Sequence, residues 1–220
     1  MESGPGARID SEASFAWTWA VVPIRGLSTA KTRLGPELDP DERRRLVVAM
    51  LRRTLTATRD AAAISGTVVV TKDPEVAGLA QEHQAIGLVE HAPDLNAAIL
   101  AGRSVAVARG ASAVLVLPAD LPAVDPAAID GLIVRAAARE APSGLVAVVP
   151  DRHGRGTNAL LTSPPAIVDP RFGEDSRALH RAAAAAAGAS FLELGGPLAL
   201  DVDTAADLAI AEATVGPLGR

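Results

Sequence analysis

Three aspartates and one basic loop are the side chains in this sequence best suited to phosphate chemistry. Asp120 follows the run Val114-Leu115-Val116-Leu117-Pro118-Ala119-Asp120-Leu121-Pro122. Four apolar residues in succession read as a strand buried on both faces. Pro118 and Pro122 cannot donate to a ladder, so they stop the strand and stiffen the turn. Asp120 therefore stands just beyond a strand's C-terminal end, where open α/β sheets bind ligands. A carboxylate fixed there suits a hard cation such as Mg2+. The competing reading, a helix cap, is better filled by Asp125 followed by Pro126. Near the C-terminus a short strand from Leu198 delivers Asp201 and Asp203 to one side, because strand side chains alternate. Two such carboxylates repel unless a cation lies between them. Thr204 or Asp203 caps the last helix, with Asp207 in its first turn. A capped helix alone explains Thr204 and Asp207 but not Asp201.

The basic loop runs from Ile24 to Leu34, after a strand that ends at Pro23, and carries Arg25, Lys31 and Arg33. It is not a P-loop: Arg25 and Ala30 stand where glycines are needed, and Gly35-Pro36 breaks the chain where a helix should begin. What remains is three cations at a strand end, suited to a triphosphate through forked arginine bonds and a lysine point charge; a solvated basic loop is the alternative. A second polar loop, Pro150 to Gly156, has two glycines that let backbone N–H groups approach a ligand, and Thr157 and Asn158 then enter an apolar strand. Phe172-Gly173-Glu174-Asp175-Ser176 opens an alanine-rich helix, placing the Gly173 amide and the Ser176 hydroxyl at its start. His180 lies one turn below Ser176 on the same face. It reads as a hydrogen-bonded structural histidine, with general acid–base use as the alternative. Asp94 or Asn96 caps a further helix start, itself a ready polar-ligand site.

These residues need a scaffold of alternating strands and helices. Strands are predicted at Thr18–Val22, Gly66–Thr71, Ile86–Glu90 and Val114–Leu117, then at Gly144–Val149 and from Thr157. Helices begin at Asp39-Pro40, Asp73-Pro74, Pro93-Asp94, Asp125-Pro126, Phe172–Ser176 and Thr204. Asp39-Pro40-Asp41-Glu42 is a capping box with proline at the first helical position. Val47, Met50, Leu51, Thr54, Leu55 and Thr58 share one face of that helix, leaving the runs Arg43–Arg45 and Arg52–Arg53 solvated. The alternation predicts a single α/β domain over 17–214 with a mostly parallel mixed sheet flanked by helices. Residues 1–16 read as a disordered leader on a cytoplasmic protein, and 215–220 as a tail.

Composition narrows the function. Aromatic residues make up 2% of the chain and the net charge is -5, which argues against a base-stacking platform or a phosphate-backbone footprint. With no cysteine, thiolate metal sites, disulfides and cysteine nucleophiles are excluded. No apolar run reaches the roughly 20 residues of a membrane span. No GxGxxG follows the first strand, so a dinucleotide site has no support. The apolar share of 49% is ample for a core and compatible with a homodimer without requiring one.

In order and spacing, five motifs resemble one nucleotidyltransferase family. They are Val22-Pro23-Ile24-Arg25 with Ala30-Lys31-Thr32-Arg33-Leu34; Leu117–Pro122; Gly154-x-Gly156-Thr157-Asn158-Ala159-Leu160; Phe172-Gly173-x-x-Ser176-x-x-x-His180; and Leu200-Asp201-Val202-Asp203-Thr204. The family is the guanylyltransferases that activate phosphoenolpyruvate or 2-phospho-L-lactate in making coenzyme F-420. Two positions depart from its pattern: Arg25 replaces a more usual lysine, and Asp94 stands where glycine is expected before Leu95-Asn96. The resemblance implies a nucleotide-diphospho-sugar-transferase-like fold of GT-A type and Mg2+ held by Asp120, Asp201 and Asp203. It implies a phospho-acid bound by Thr157, Gly173 and Ser176, and GTP met by Pro23, Arg25, Lys31, Arg33, Asn96 and Pro118. Asp120, Lys31 and Asp203 would then carry catalysis. The reaction implied is transfer of GMP from GTP to the phospho-acid, with phosphoenolpyruvate the favoured acceptor and 2-phospho-L-lactate or 3-phosphoglycerate the alternatives. A downstream transferase would take the product. A guanylyl- or cytidylyltransferase for another phosphorylated acceptor should not need the Gly173/Ser176 helix start. A non-catalytic GTP sensor would have no need of three neighbouring carboxylates.

Overall fold

The capping and alternation patterns are realised in the computed structural model, which describes residues 15–27, 31 and 34–219. Strand β1, Thr18–Pro23, leads through the basic loop to α1, Pro40–Asp60. The α1 capping box is complete: the Asp39 carboxylate accepts from the Glu42 N–H at 2.8 Å, and the Glu42 carboxylate from the Asp39 N–H at 2.9 Å. The apolar face read from sequence is buried as expected, from Val47 to Thr58, and Leu46 is buried with it. Then come β2, Ile64–Thr71; α2, Pro74–Glu82; β3, Ile86–Val89; α3, Leu95–Ala108; and β4, Ala113–Val116. Asp73, Asp94 and Asp125 each cap the helix that follows by accepting from a first-turn N–H. The second half holds α4, Pro126–Ala137; β5, Leu145–Pro150; β6, Thr157–Ser163; α5, Ser176–Ala186; β7, Ser190–Glu193; and α6, Ala205–Val215.

The seven strands form one sheet in the order β3-β2-β1-β4-β6-β5-β7. Every pairing is parallel except those of β6, which runs antiparallel to both β4 and β5. Alternation along the strands divides the core. Leu115, Ala147, Val149 and Leu161 pack with Ile129, Leu132 and Ile133 of α4 on one face. Val114, Val116, Val146, Val148 and Leu160 pack with Ile99 of α3 and Ala184 of α5 on the other. Helix α3 lies so close to the sheet that a Cβ at Gly102 would meet Val70 and Val21 side chains at 2.6 and 2.7 Å, well inside van der Waals contact. The helices α1 and α2 cover β1 and β2 through Val47, Leu51, Leu55, Val76 and Leu79.

Two expectations change. A strand at Ser190–Glu193 joins the sheet edge beside β5, although the sequence reading assigned none there. The strand expected from Leu198 is absent from the sheet: Pro197–Ala199 form a 3-10 turn, and residues 200–203 join no ladder. The alternation survives for a local reason. Val202 is fully buried with Leu34, Leu46, Met50 and Leu208, and its N–H bonds the Asp120 carbonyl at 3.2 Å. Phe15 is buried in the α4-side core and Leu218 against α1. Residues 1–14 of the expected leader lie outside the described residues.

Candidate active site

The ends of β1 and β4, the start of β6 and the segment before α6 meet along the edge formed by the C-terminal ends of the central parallel strands. Pro23 is the last residue of β1, still in register with Val70 of β2, and Pro118 lies two residues beyond the parallel neighbour β4, where neither proline can donate to a ladder. Asp120 follows Pro118 by two residues and caps no helix; Asp125 does that for α4. Lys31, in the left-handed region at φ 56°, reaches across this edge. Its ammonium donates to Asp120 at 2.6 Å and to Asp203 at 2.8 Å. Burial alone would push the lysine pKa down, but the two carboxylates outweigh it and hold the value above the ordinary one.

Asp201 completes the acidic group. Burial, followed by the charges of Asp120 and Asp203, raises its pKa, against a bond from the Asn158 amide at 3.4 Å. The same amide donates to the Leu198 carbonyl at 3.2 Å, so Asn158 fixes the turn that presents Asp201. Asp203 is held through its main chain. Its N–H donates to Asp207 Oδ2 at 3.1 Å, and the Thr204 N–H and hydroxyl donate to the same oxygen at 2.7 and 2.8 Å. Asp207 Oδ1 is ion-paired with Arg152 outside hydrogen-bond alignment. Burial raises the Asp207 carboxyl, but its Thr204 and Asp203 hydrogen bonds and Arg152 bring it below the ordinary range.

Whether these carboxylates suit a divalent cation is decided by the donor set. It is all hard oxygen, and the mutual repulsion that raises Asp201 is the kind a cation relieves. Among the described residues no three carboxylate or imidazole groups converge on one point, and Lys31 fills the space between Asp120 and Asp203. Mg2+ commonly takes one or two carboxylates together with substrate phosphates, so the set fits that ion without full convergence.

A second polar corner adjoins the first. Thr157, next to Asn158 on β6, lies with its hydroxyl 3.1 Å from His180 Nδ1. His180 is fully buried, and its Nε2 accepts from the Arg171 N–H at 2.9 Å. Burial, then the charge of Arg171, pushes its pKa down to about 4 despite a bond to the Ser176 backbone. A neutral, doubly bonded imidazole is the structural histidine the sequence suggested. Gly173 has φ 129°, and a Cβ there would meet nothing within 4 Å, so backbone conformation and not space requires glycine. Asp175, the N-cap of α5, makes no side-chain cap bond; the Ser176 and Arg177 N–H groups donate instead to the Gly173 and Arg155 carbonyls, at 3.3 and 3.2 Å. Ser176 is buried at this helix start.

The remaining expected residues divide. Asn96 is engaged with the second corner: its amide donates to the Phe172 carbonyl at 3.1 Å and accepts from the Phe172 N–H at 2.8 Å. Arg25 is exposed on its loop, and Arg33 lies outside the described residues. The bracing roles of Asn158, Arg152 and Asp207 escaped the sequence reading. A polar residue opening an otherwise apolar strand was the available signal for Asn158.

Known proteins resemble both the sequence and the shape. The family model described as "Guanylyl transferase CofC like" matches residues 18–211. A phosphoenolpyruvate guanylyltransferase of Sphaerobacter thermophilus is 42% identical over 192 residues, spanning 87% of this chain and 90% of that protein. One of Rubrobacter xylanophilus is 41% identical, spanning 90% and 95%. Among solved structures, a 4-diphosphocytidyl-2C-methyl-D-erythritol synthase superposes with a TM-score of 0.60 at 18% identity, covering 90% of this chain and 97% of that one. A chain from Desulfovibrio desulfuricans G20, given as a nucleotide-diphospho-sugar transferase, superposes at 0.71 and 16% identity, covering 90% and 87%. At those identities the likeness shows the fold alone.

Proposed function

The chain belongs to the CofC-like guanylyl transferases, and from that premise we propose that it transfers GMP from GTP to phosphoenolpyruvate, a step in making coenzyme F-420. The products are enolpyruvoyl-2-diphospho-5'-guanosine and pyrophosphate. The observation that carries the proposal is one pair of neighbours on β6. Asn158 bonds Asp201 of the carboxylate group, while Thr157 bonds His180 behind the Gly173/Ser176 corner. On this reading a triphosphate end and an acceptor end share a wall.

The acceptor phosphate is anionic at neutral pH, so no general base is required. One of its oxygens attacks the α-phosphorus of GTP, and the bond from that phosphorus to the bridging oxygen breaks as pyrophosphate departs. Lys31, Arg25 and Arg33 offset charge on the β- and γ-phosphates. The Lys31 ammonium, now shared by two carboxylates, is the cation placed nearest the reacting edge. Mg2+ held by Asp120, Asp201 and Asp203 would neutralise charge on the transferring phosphoryl group and the departing pyrophosphate. Thr157, the Gly173 amide and Ser176 receive the phospho-acid at the start of α5, where N–H groups favour anions. Pro23, Pro118 and Asn96 border the nucleotide side.

The names of the two relatives favour phosphoenolpyruvate over 2-phospho-L-lactate and 3-phosphoglycerate. The test is pyrophosphate release with GTP and Mg2+, each acid in turn, with the product-consuming transferase present. Release with phosphoenolpyruvate alone is expected. Release with another acid would reassign the acceptor, and GTP binding without release from any acid would favour a sensor.

A further inference from the structure

The second corner contains a buried group for which the proposed reaction has no use. His180 is fully enclosed, touches Phe172 edge-on at 5.3 Å between ring centroids, and bonds two segments distant in sequence. Its protonation pattern follows from its partners. The Arg171 main-chain N–H can only donate, so Nε2 keeps its lone pair, and in a neutral imidazole the proton then resides on Nδ1. A protonated Nδ1 cannot accept, so the Thr157 hydroxyl cannot donate to it. The Nδ1 proton then faces two acceptors, the Ser176 main-chain carbonyl and, at 3.1 Å, Thr157 Oγ1, which among the described residues has no other hydrogen-bond partner.

We infer that His180 is a positioning residue for the acceptor: by donating from Nδ1 to Thr157 it turns the threonine O–H outward, as a donor for the phospho-acid. This rests on the reading that Thr157 meets that substrate. The same ring ties the main chain just before Gly173 to β6, so one imidazole fixes both the hydroxyl and the loop. It moves no proton in the reaction. The arrangement is selective as well as supportive, because a threonine obliged to donate favours an anionic oxygen over any group that must itself donate.

Two substitutions separate the two bonds. H180Q places an amide near the position of Nε2 and can still accept from Arg171, but it withdraws the donor from Thr157. H180N places its amide near Nδ1 and can still donate to Thr157. H180Q should raise the phosphoenolpyruvate KM about tenfold, the size of one hydrogen bond to a charged group, with the GTP KM unchanged. H180N should raise it less. In a T157V background H180Q should add nothing. A merely structural histidine would give additive losses or shift both KM values alike, and either result overturns the inference. So does a 15N spectrum of the wild-type protein that puts the His180 proton on Nε2, a readout that holds even if H180Q fails to fold. Wild-type protein that releases no pyrophosphate with any acid would instead refute the proposed function and leave the tautomer assignment standing.

Discussion

Replacing Asp207 with asparagine should loosen the acidic edge of the site without touching any carboxylate proposed to face substrate. Asp207 Oδ2 receives three donors, the Thr204 N–H, the Thr204 hydroxyl and the Asp203 N–H, and the carboxylate is paired with Arg152. The side chain is 6% exposed, so solvent does little to weaken these bonds. Asparagine can keep an oxygen toward the three donors, but each bond loses its charge assistance, roughly half its strength. At about 0.5–1 kcal/mol apiece, with the Arg152 pair lost as well, the expected cost is about 2–4 kcal/mol. For a chain of this size that lowers Tm by about 5–12 °C. The sign with pH is fixed by the lowered Asp207 pKa. Its contribution is fully present above the unfolded value of about 3.9 and is lost as pH falls through the lower native value. The difference in Tm between wild type and D207N should therefore be largest at pH 7 and shrink in acid. Pyrophosphate release should also fall, because the Asp203 main chain loses its anchor. Thermal unfolding followed by circular dichroism at neutral and acid pH is the assay. A D207N protein that melts within 1 °C of wild type at pH 7 (the scale of a negligible change), or a gap that does not narrow in acid, would refute this account.

Other substitutions separate the roles further. Asp203→Ala should lower the rate of pyrophosphate release by on the order of 10²-fold without recovery at saturating Mg2+; a near-normal rate would remove Asp203 from the metal set. Asn96→Ala frees both main-chain groups of Phe172 and removes a proposed nucleotide neighbour, so it should raise the KM for both GTP and phosphoenolpyruvate. A rise confined to phosphoenolpyruvate in steady-state assays would take Asn96 out of the nucleotide set. Asp39→Ala removes the α1 capping box, whose hydrogen bonds join only Asp39 and Glu42. It should cost about 1 kcal/mol in a denaturant titration and leave both KM values unchanged.

Local chemistry made the scaffold legible. Asp39, Asp73, Asp94 and Asp125 are N-caps in the structure, and proline follows all of them except Asp94 in the chain. The buried strands announced themselves as runs of valine and leucine. Asp120 was readable because the prolines around it end a strand. The segment presenting Asp201 and Asp203 was misread as a strand because alternation is a property of any extended chain pinned by one buried residue, here Val202. Ser190–Glu193 was missed because four half-buried residues at a sheet edge carry little pattern. Long-range contacts left no local trace. Lys31 meets Asp203 from 172 positions away, and Asn96 grips Phe172 from 76. The orientation of Thr157 depends on a histidine whose other partner is a main-chain N–H that any residue could supply.

The reversed direction of β6 has a consequence for how such a catalyst can change. In a wholly parallel sheet, residues meeting a ligand come from strand ends scattered along the chain. Here Thr157 and Asn158 stand at a strand's beginning, reached by the hairpin from β5 and followed shortly by α5. On the proposed reading, the contacts to the receiving molecule fall within one contiguous stretch, Asp151 to His180, while those to the donated nucleotide are spread over β1, α3 and β4. Doubling the length of the 151–156 turn would cost only about 0.6 kcal/mol in closure entropy. With Arg152 and Asn158 kept as braces of Asp207 and Asp201, the rest of the stretch can be altered as a cassette, giving the fold a ready route to new acceptors while the machinery that cleaves the triphosphate stays the same.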